Sequence, residues 1–136
     1  MTVIGLDIGK KRTGIAKSDS MGIVIKPYKT VLTQELIKEL ESINSEIGIE
    51  KFIIGEPVNI EKGNNEAYSF VIETKNKLSE HFQGLEIELI DERFTSKEAQ
   101  ATLNAQGKKI NKDNKELIDM YAAAIILEQY FNKIEQ

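Results

Sequence analysis

Short apolar runs separated by glycines open the chain and predict a meander of strands. Residues 3–6 form an apolar run closed by Asp7, which is typical of a buried strand. Residues 14–19 predict a second strand and residues 22–25 a third, which Pro27 ends. Because the turns between them are short and rich in glycine, we expect the three strands to pair antiparallel.

A helical period replaces this pattern in the middle of the chain. Apolar residues recur near the i, i+3, i+4, i+7 spacing and predict an amphipathic helix over residues 33–47, ended by Gly48. The other predicted elements are a strand at residues 52–54, a helix at 67–78, a strand at 85–90, a helix starting at Thr95 or Ser96, and a closing helix at 116–134.

This order, β-β-β-α-β-α-β-α-α, predicts an α/β fold. Three antiparallel strands are followed by strands that should run parallel through right-handed crossovers, which gives a mixed five-stranded sheet flanked by helices. We expect residues 1–136 to form a single domain, because no linker divides the chain and 136 residues suit one core.

Composition narrows the classes of function. The chain has no cysteine, which excludes disulfides, thiolate zinc sites and cysteine nucleophiles. Its formal net charge is -4, so any contact with nucleic acid must come from a local basic patch. No long apolar segment is present, and we therefore expect a cytoplasmic protein without a membrane partner.

Acidic residues stand in apolar surroundings at three places. Asp7 and the pair Asp91 and Glu92 follow strand-like runs, and Asp119 lies in the apolar closing helix. A charge in such a position is costly unless it is hydrogen-bonded, paired or bound to a metal. If the three places converge, they predict a site for hard divalent cations.

Each acid also has a purely structural explanation. Asp7 can stabilise the turn that follows it, and Asp119 can interact with the dipole of its helix near the N-terminus. Arg93 can pair with Asp91 or Glu92 in a salt bridge. Strand alternation sends those two acids to opposite faces of the sheet, but it does not indicate which face carries the site.

Carboxylates from separate elements suit phosphodiester hydrolysis. Mg²⁺ takes six oxygen ligands, keeps several waters and binds one or two protein carboxylates directly. Two such ions can activate a water and stabilise the leaving oxygen, so no Ser, Cys or His nucleophile is needed. The single histidine, His81, is predicted to lie on the surface at a helix end.

Basic residues directly follow the first acid. Lys10, Lys11 and Arg12 are candidates for contacts with backbone phosphates beside the scissile bond. A second candidate patch, at residues 108–112, is more typical of a solvated loop.

Four segments resemble, in order and spacing, the YqgF family of pre-16S rRNA nucleases, also called RuvX or Holliday-junction-resolvase-like proteins. They are GLDIGKKRTGIAKSD, IIGEPVN, DERFTSKEA and LIDMYAAAIILEQYF, and the similarity spans nearly the whole chain. The resemblance implies an RNase H-like fold and a hydrolase that processes the 5′ end of pre-16S rRNA. It also implies a nuclease centre with Mg²⁺ or Mn²⁺, and we expect two ions.

The resemblance assigns roles to individual residues. Asp7 matches the acid of the first strand, Asp91 or Glu92 matches the acid of the second motif, and Asp119 matches the acid of the last helix. We expect Asp7, Glu92 and Asp119 to bind the metal, with Glu92 favoured over Asp91. Arg93 matches the basic residue of the second motif and joins the expected nucleic-acid contacts.

The chain departs from the family pattern after the fourth predicted strand. Glu56 replaces the usual apolar residue between Gly55 and Pro57, and the loop at residues 58–63 is one residue longer than usual. Both changes add acid near the expected nucleic-acid face and imply weaker attraction of the substrate.

The expected partners are nucleic acid, in the form of pre-rRNA, and the pre-ribosomal particle. Two other functions fit the same residues: a DNA endonuclease that resolves branched junctions, and a non-catalytic RNA-binding module of ribosome assembly. A junction resolvase should be a stable dimer, whereas an RNA-trimming nuclease need not be, and we expect a monomer or a weak homodimer.

Overall fold

A five-stranded mixed sheet organises residues 1–57, 66–91 and 115–134, which are the residues that the computed structural model describes. The strand order is β3-β2-β1-β4-β5. The first three strands pair antiparallel, and β1, β4 and β5 pair parallel, as the element order predicts. The strands are β1 Thr2–Ile8, β2 Arg12–Asp19, β3 Ile25–Leu32, β4 Ile49–Glu56 and β5 Glu86–Asp91.

Three α-helices flank the described part of the sheet. They are α1 Leu36–Ile47, preceded by a 3₁₀ turn at Thr33–Glu35, then α2 Glu66–His81 and α3 Lys115–Ile134. Gly48 ends α1 with φ 76°, and its N–H donates to the carbonyl of Asn44. The helix predicted from Thr95 or Ser96 lies outside the described residues. None of the described helices is long and apolar enough to cross a membrane.

The third strand differs from its prediction. We expected residues 22–25 to form it and Pro27 to end it, but the strand is Ile25–Leu32 and contains Pro27. The prediction was wrong because β3 is an edge strand, where a residue without an N–H does not break the ladder. The pairing with β2 shifts register opposite Pro27, between Ile15 and Ala16.

The two faces of the sheet pack against different helices. Even-numbered residues of β1, such as Ile4 and Leu6, belong to the core formed with α1 and α2. Val3 on the same strand belongs to the core formed with α3. A Cβ at Gly5 would lie 2.8 Å from the carbonyl oxygen of Ala123, so α3 rests directly on the backbone of β1. The small side chains of Ala123 and Ala124, which belong to the same core, allow this close approach.

Candidate functional site

Asp7 lies near the end of β1 on the face that α3 covers. It shares this face with Val3 and Gly5 because side chains alternate along a strand. In the antiparallel ladder Asp7 lies opposite Gly14 of β2, and residues directly opposite each other project to the same side. The side chain of Asp7 is partly buried.

Asp119 is the fifth residue of α3 and lies over Gly14. A Cβ at Gly14 would overlap the carbonyl group of Asp119, so only glycine allows the helix this close. One turn earlier, the hydroxyl of Thr30 donates to the carbonyl of Glu116 over 2.6 Å. Contacts with β2 and β3 therefore fix the first turns of α3, and they bring Asp119 beside the strand pair that carries Asp7.

The two carboxylates influence each other. Burial raises the pKa of Asp119, the hydrogen bond and charge of Arg12 oppose the rise, and the charges of Asp7 and Glu116 add to it. The contribution of Asp7 means that the two acids share one local environment. This result supports the predicted convergence of the first-strand acid and the last-helix acid.

Arg12, the first residue of β2, pairs with Asp119. Its Nε donates to Oδ2 of Asp119 over 2.9 Å, and both side chains are partly exposed. The sequence predicted Arg12 as a phosphate contact, and the structure gives it a protein partner that sequence reasoning did not identify. No local pattern could have indicated this pair, because the two residues are 107 positions apart.

Backbone hydrogen bonds hold the basic turn between β1 and β2 in place. The N–H of Gly9 donates to the carbonyl of Arg12 over 2.9 Å. Thr33, which the sequence indicated only as a helix start, supports the turn from outside. Its hydroxyl donates to the carbonyl of Gly9 over 2.6 Å, and its N–H donates to the carbonyl of Lys11 over 2.9 Å. The turn is therefore positioned before any ligand binds.

The two lysines of this turn are exposed. Lys10 pairs with Glu66 at the start of α2 over 3.0 Å, and a surface pair of this kind contributes little stability and is easily exchanged. Both lysines line a surface depression of about 390 Å³ together with Leu32 and Gln34. The second basic run, at residues 108–112, lies outside the described residues.

Asp91 lies on the other face of the sheet. It ends β5, is exposed, and pairs in register with Glu56 of β4. Alternation places it with Ile87 and Leu89, which pack against the core of α1 and α2. Within residues 1–57, 66–91 and 115–134, no three acidic or histidine side chains are grouped to hold a metal ion. The structure therefore brings Asp7 and Asp119 together without Asp91, and both Glu92 and Arg93 lie outside the described residues.

The surroundings of Asp119 predict how its pKa responds to substitution. We expect Asp7→Asn to lower the pKa of Asp119, because it removes a neighbouring negative charge. We expect Arg12→Gln to raise this pKa, because it removes the cation that stabilises the ionised form. An NMR titration of the Asp119 carboxyl carbon in the metal-free protein measures both shifts. Equal pKa values in all three proteins would contradict the shared site.

The chain is similar to known proteins over nearly its whole length. A family model described as "RuvX: Holliday junction resolvase" matches residues 1–133. A relative from Sulfurihydrogenibium sp. is 40% identical over 136 residues, covering 97% of this chain and 90% of the relative. Another, from Azobacteroides pseudotrichonymphae, is 33% identical over 129 residues, or 94% of each chain. Both are named "Putative pre-16S rRNA nuclease".

The fold also resembles solved structures. Thermus thermophilus RuvC in complex with a Holliday junction substrate matches with a TM-score of 0.61 and 15% identity, covering 98% of this chain and 96% of that chain. A second T. thermophilus RuvC structure matches with a TM-score of 0.59 and 14% identity, covering 99% and 97%. At such low identity the likeness concerns the fold alone, and it confirms the expected RNase H-like architecture.

Proposed function

The chain belongs to the RuvX family, and we propose that it is a divalent-cation-dependent nuclease that processes the 5′ end of pre-16S rRNA. The family match confirms the resemblance that the four motifs indicated. The members of this family are phosphodiester-hydrolysing nucleases. The names of the relatives support the choice of substrate. We also propose that residues 1–136 act as one domain in the cytoplasm, on free pre-rRNA or on the pre-ribosomal particle.

One observation carries the proposal: Asp7 and Asp119 lie on the same face of the sheet, and the charge of Asp7 raises the pKa of Asp119. Two negative charges in one partly buried place repel each other and destabilise the metal-free protein. A bound cation would remove that repulsion. The first and the last described elements of the chain are thus brought together where a cation would be stabilised.

The donor set fits a magnesium or manganese ion. Asp7 and Asp119 supply two carboxylates, which matches the small number of protein ligands that Mg²⁺ takes directly. Glu92 is the proposed third ligand, since Asp91 lies on the opposite face of the sheet. When bound, one or two such ions would activate the attacking water and stabilise the leaving oxygen.

The other residues act on the substrate. Lys10 and Lys11 would bind backbone phosphates from the preformed turn, with contacts that do not depend on base sequence. Arg93 would add a further phosphate contact. Asp119 must be ionised to bind a cation, so the raised pKa of Asp119 in the metal-free protein should make the cation affinity fall at a higher pH than an ordinary aspartate would.

Substitution of the adjacent acids separates their roles. We expect Glu92→Gln to lower cleavage by about 10²-fold or more, since it removes a proposed ligand. Asp91→Asn should retain most of the activity, because Asp91 projects away from Asp7 and Asp119. Single-turnover cleavage at saturating Mn²⁺ measures both rates. The reverse order of the two rates would show that Asp91, and not Glu92, is the ligand.

The substrate is tested by offering RNA and DNA side by side. We expect cleavage of a precursor carrying the 16S 5′ leader, its loss on adding EDTA, and its return with excess Mg²⁺. The description of the family model supports a second candidate, a junction resolvase, which would cleave a four-way DNA junction and run as a stable dimer in gel filtration. Binding of the precursor without cleavage of either substrate would instead favour a non-catalytic assembly module.

A further inference from the structure

Arg12 pairs with an acidic side chain of the proposed site. Its Nε bonds one carboxylate oxygen of Asp119, Oδ2, at 2.9 Å. The guanidinium side chain is 32% exposed and that of Asp119 is 22% exposed, so the pair is neither sealed in the core nor fully solvated. One oxygen of a proposed cation ligand is therefore already occupied by a protein cation.

We propose that Arg12 is an exchangeable counter-ion. It neutralises Asp119 before a divalent cation binds, and binding of the cation at Asp7 and Asp119 releases Arg12 to a phosphate of the nucleic acid. This inference rests on the proposed function and adds to it an order of events at the same site.

The local charges favour such an exchange. Among the residues that the structure describes, Asp7 and Glu116 are acidic neighbours of Asp119 and Arg12 is its basic partner. Without Arg12, the partly buried carboxylate would face like charges with little compensation. A divalent cation beside the same carboxylate supplies that compensation and repels the guanidinium, so the two cations compete for Asp119.

Only the side chain of Arg12 has to move. Its backbone is held by the bond from Gly9 and by pairing with Leu32 of β3. The side chain borders an open depression of about 320 Å³, which provides room for another orientation.

A phosphate is a suitable second partner for the released group. The planar guanidinium presents several donors in a fixed fork and binds a phosphate through two parallel hydrogen bonds. Lys10 and Lys11 precede Arg12 in the same hairpin, and both are exposed. The released arginine would therefore join a surface that already attracts the phosphate backbone.

Mn²⁺ affinity tests the exchange on the full chain without substrate. We expect Arg12→Gln to bind Mn²⁺ roughly tenfold more tightly than wild type, because the competing charge is gone, while it cleaves RNA more slowly. Arg12→Lys keeps the charge and should stay within about threefold of wild type. The matched control is Lys26→Gln, which removes the same charge from an exposed position on β3. Lys26 lies six residues, or about 20 Å, from Leu32, which pairs with Arg12, so the substitution should leave the Mn²⁺ affinity unchanged.

Each outcome of the titration is decisive. Weaker or unchanged Mn²⁺ binding by Arg12→Gln would overturn the exchange, and weaker binding would mean that Arg12 holds Asp119 in position for the ion. If wild type and Asp7→Asn bind the same number of Mn²⁺ ions, the metal site of the proposed function is wrong and the exchange is wrong with it. If wild type binds a Mn²⁺ ion that Asp7→Asn does not bind, and only the Arg12→Gln result fails, the proposed function stands without the exchange.

Discussion

Replacing Asp7 by asparagine is expected to lower cation-dependent cleavage by at least about 10³-fold, because it removes one of the two carboxylates that share the site. The fold should remain intact, since asparagine has the same shape and the position is only partly buried. Single-turnover cleavage of the precursor leader, with thermal unfolding of the same sample, measures both effects.

The matched control for this variant is Asp19→Asn. Asp19 lies five residues beyond Gly14 on β2, about 17 Å from the site. Its carboxylate accepts the N–H of Val24 over 2.8 Å at the β2–β3 turn, and this bond lowers its pKa. We expect Asp19→Asn to weaken the turn and to leave the cleavage rate of the folded protein unchanged. Cleavage by Asp7→Asn at the wild-type rate would show that Asp7 is not part of the site.

The second large effect is expected at Gly14. In Gly14→Ala the new methyl group would overlap the carbonyl of Asp119, and that backbone cannot move without breaking the contacts of α3 with β1 and β3. Overpacking of this kind costs about 3 kcal/mol or more when the obstacle is backbone. We also expect cleavage to fall by about 10²-fold in the folded protein, because a shift of roughly 1 Å in Asp119 spoils the geometry of the acids.

Leu78→Ala provides the comparison that separates stability from positioning. Leu78 is fully buried, but it lies on α2, against the face of the sheet opposite Asp7 and Asp119. Its truncation should cost about 2–5 kcal/mol. When both variants are assayed below their unfolding temperatures, Leu78→Ala should cleave at nearly the wild-type rate and Gly14→Ala should not. Equal rates in the two variants would show that Gly14 matters for stability alone.

The sequence indicated most of the sheet because its central strands are buried on both faces. Residues 3–6 and 52–54 are apolar runs, and the structure extends them to Thr2–Ile8 and Ile49–Glu56. The edge strand β3 was misplaced for the opposite reason. It is partly exposed along its length and includes Lys26, Pro27 and Lys29, so it carries no apolar run that could mark it.

The candidate site was predictable only in part. Asp7 and Asp119 were noticeable as charges in apolar elements, and the family resemblance placed them together. Two determinants of their geometry have no local signature: the contact of Gly14 with the backbone of α3, and the bond from Arg12 to Asp119. Both arise from the packing of residues more than 100 positions apart, which periodicity and spacing do not encode.

The most direct test of the account is the position of a bound ion. A crystal grown with Mn²⁺ should show an anomalous peak between the carboxylates of Asp7 and Asp119, about 2.0–2.3 Å from an oxygen of each. The peak should be absent from crystals of Asp7→Asn grown in the same way. An ordered Mn²⁺ bound elsewhere in the wild-type crystal, with these two carboxylates free of metal, would contradict the account.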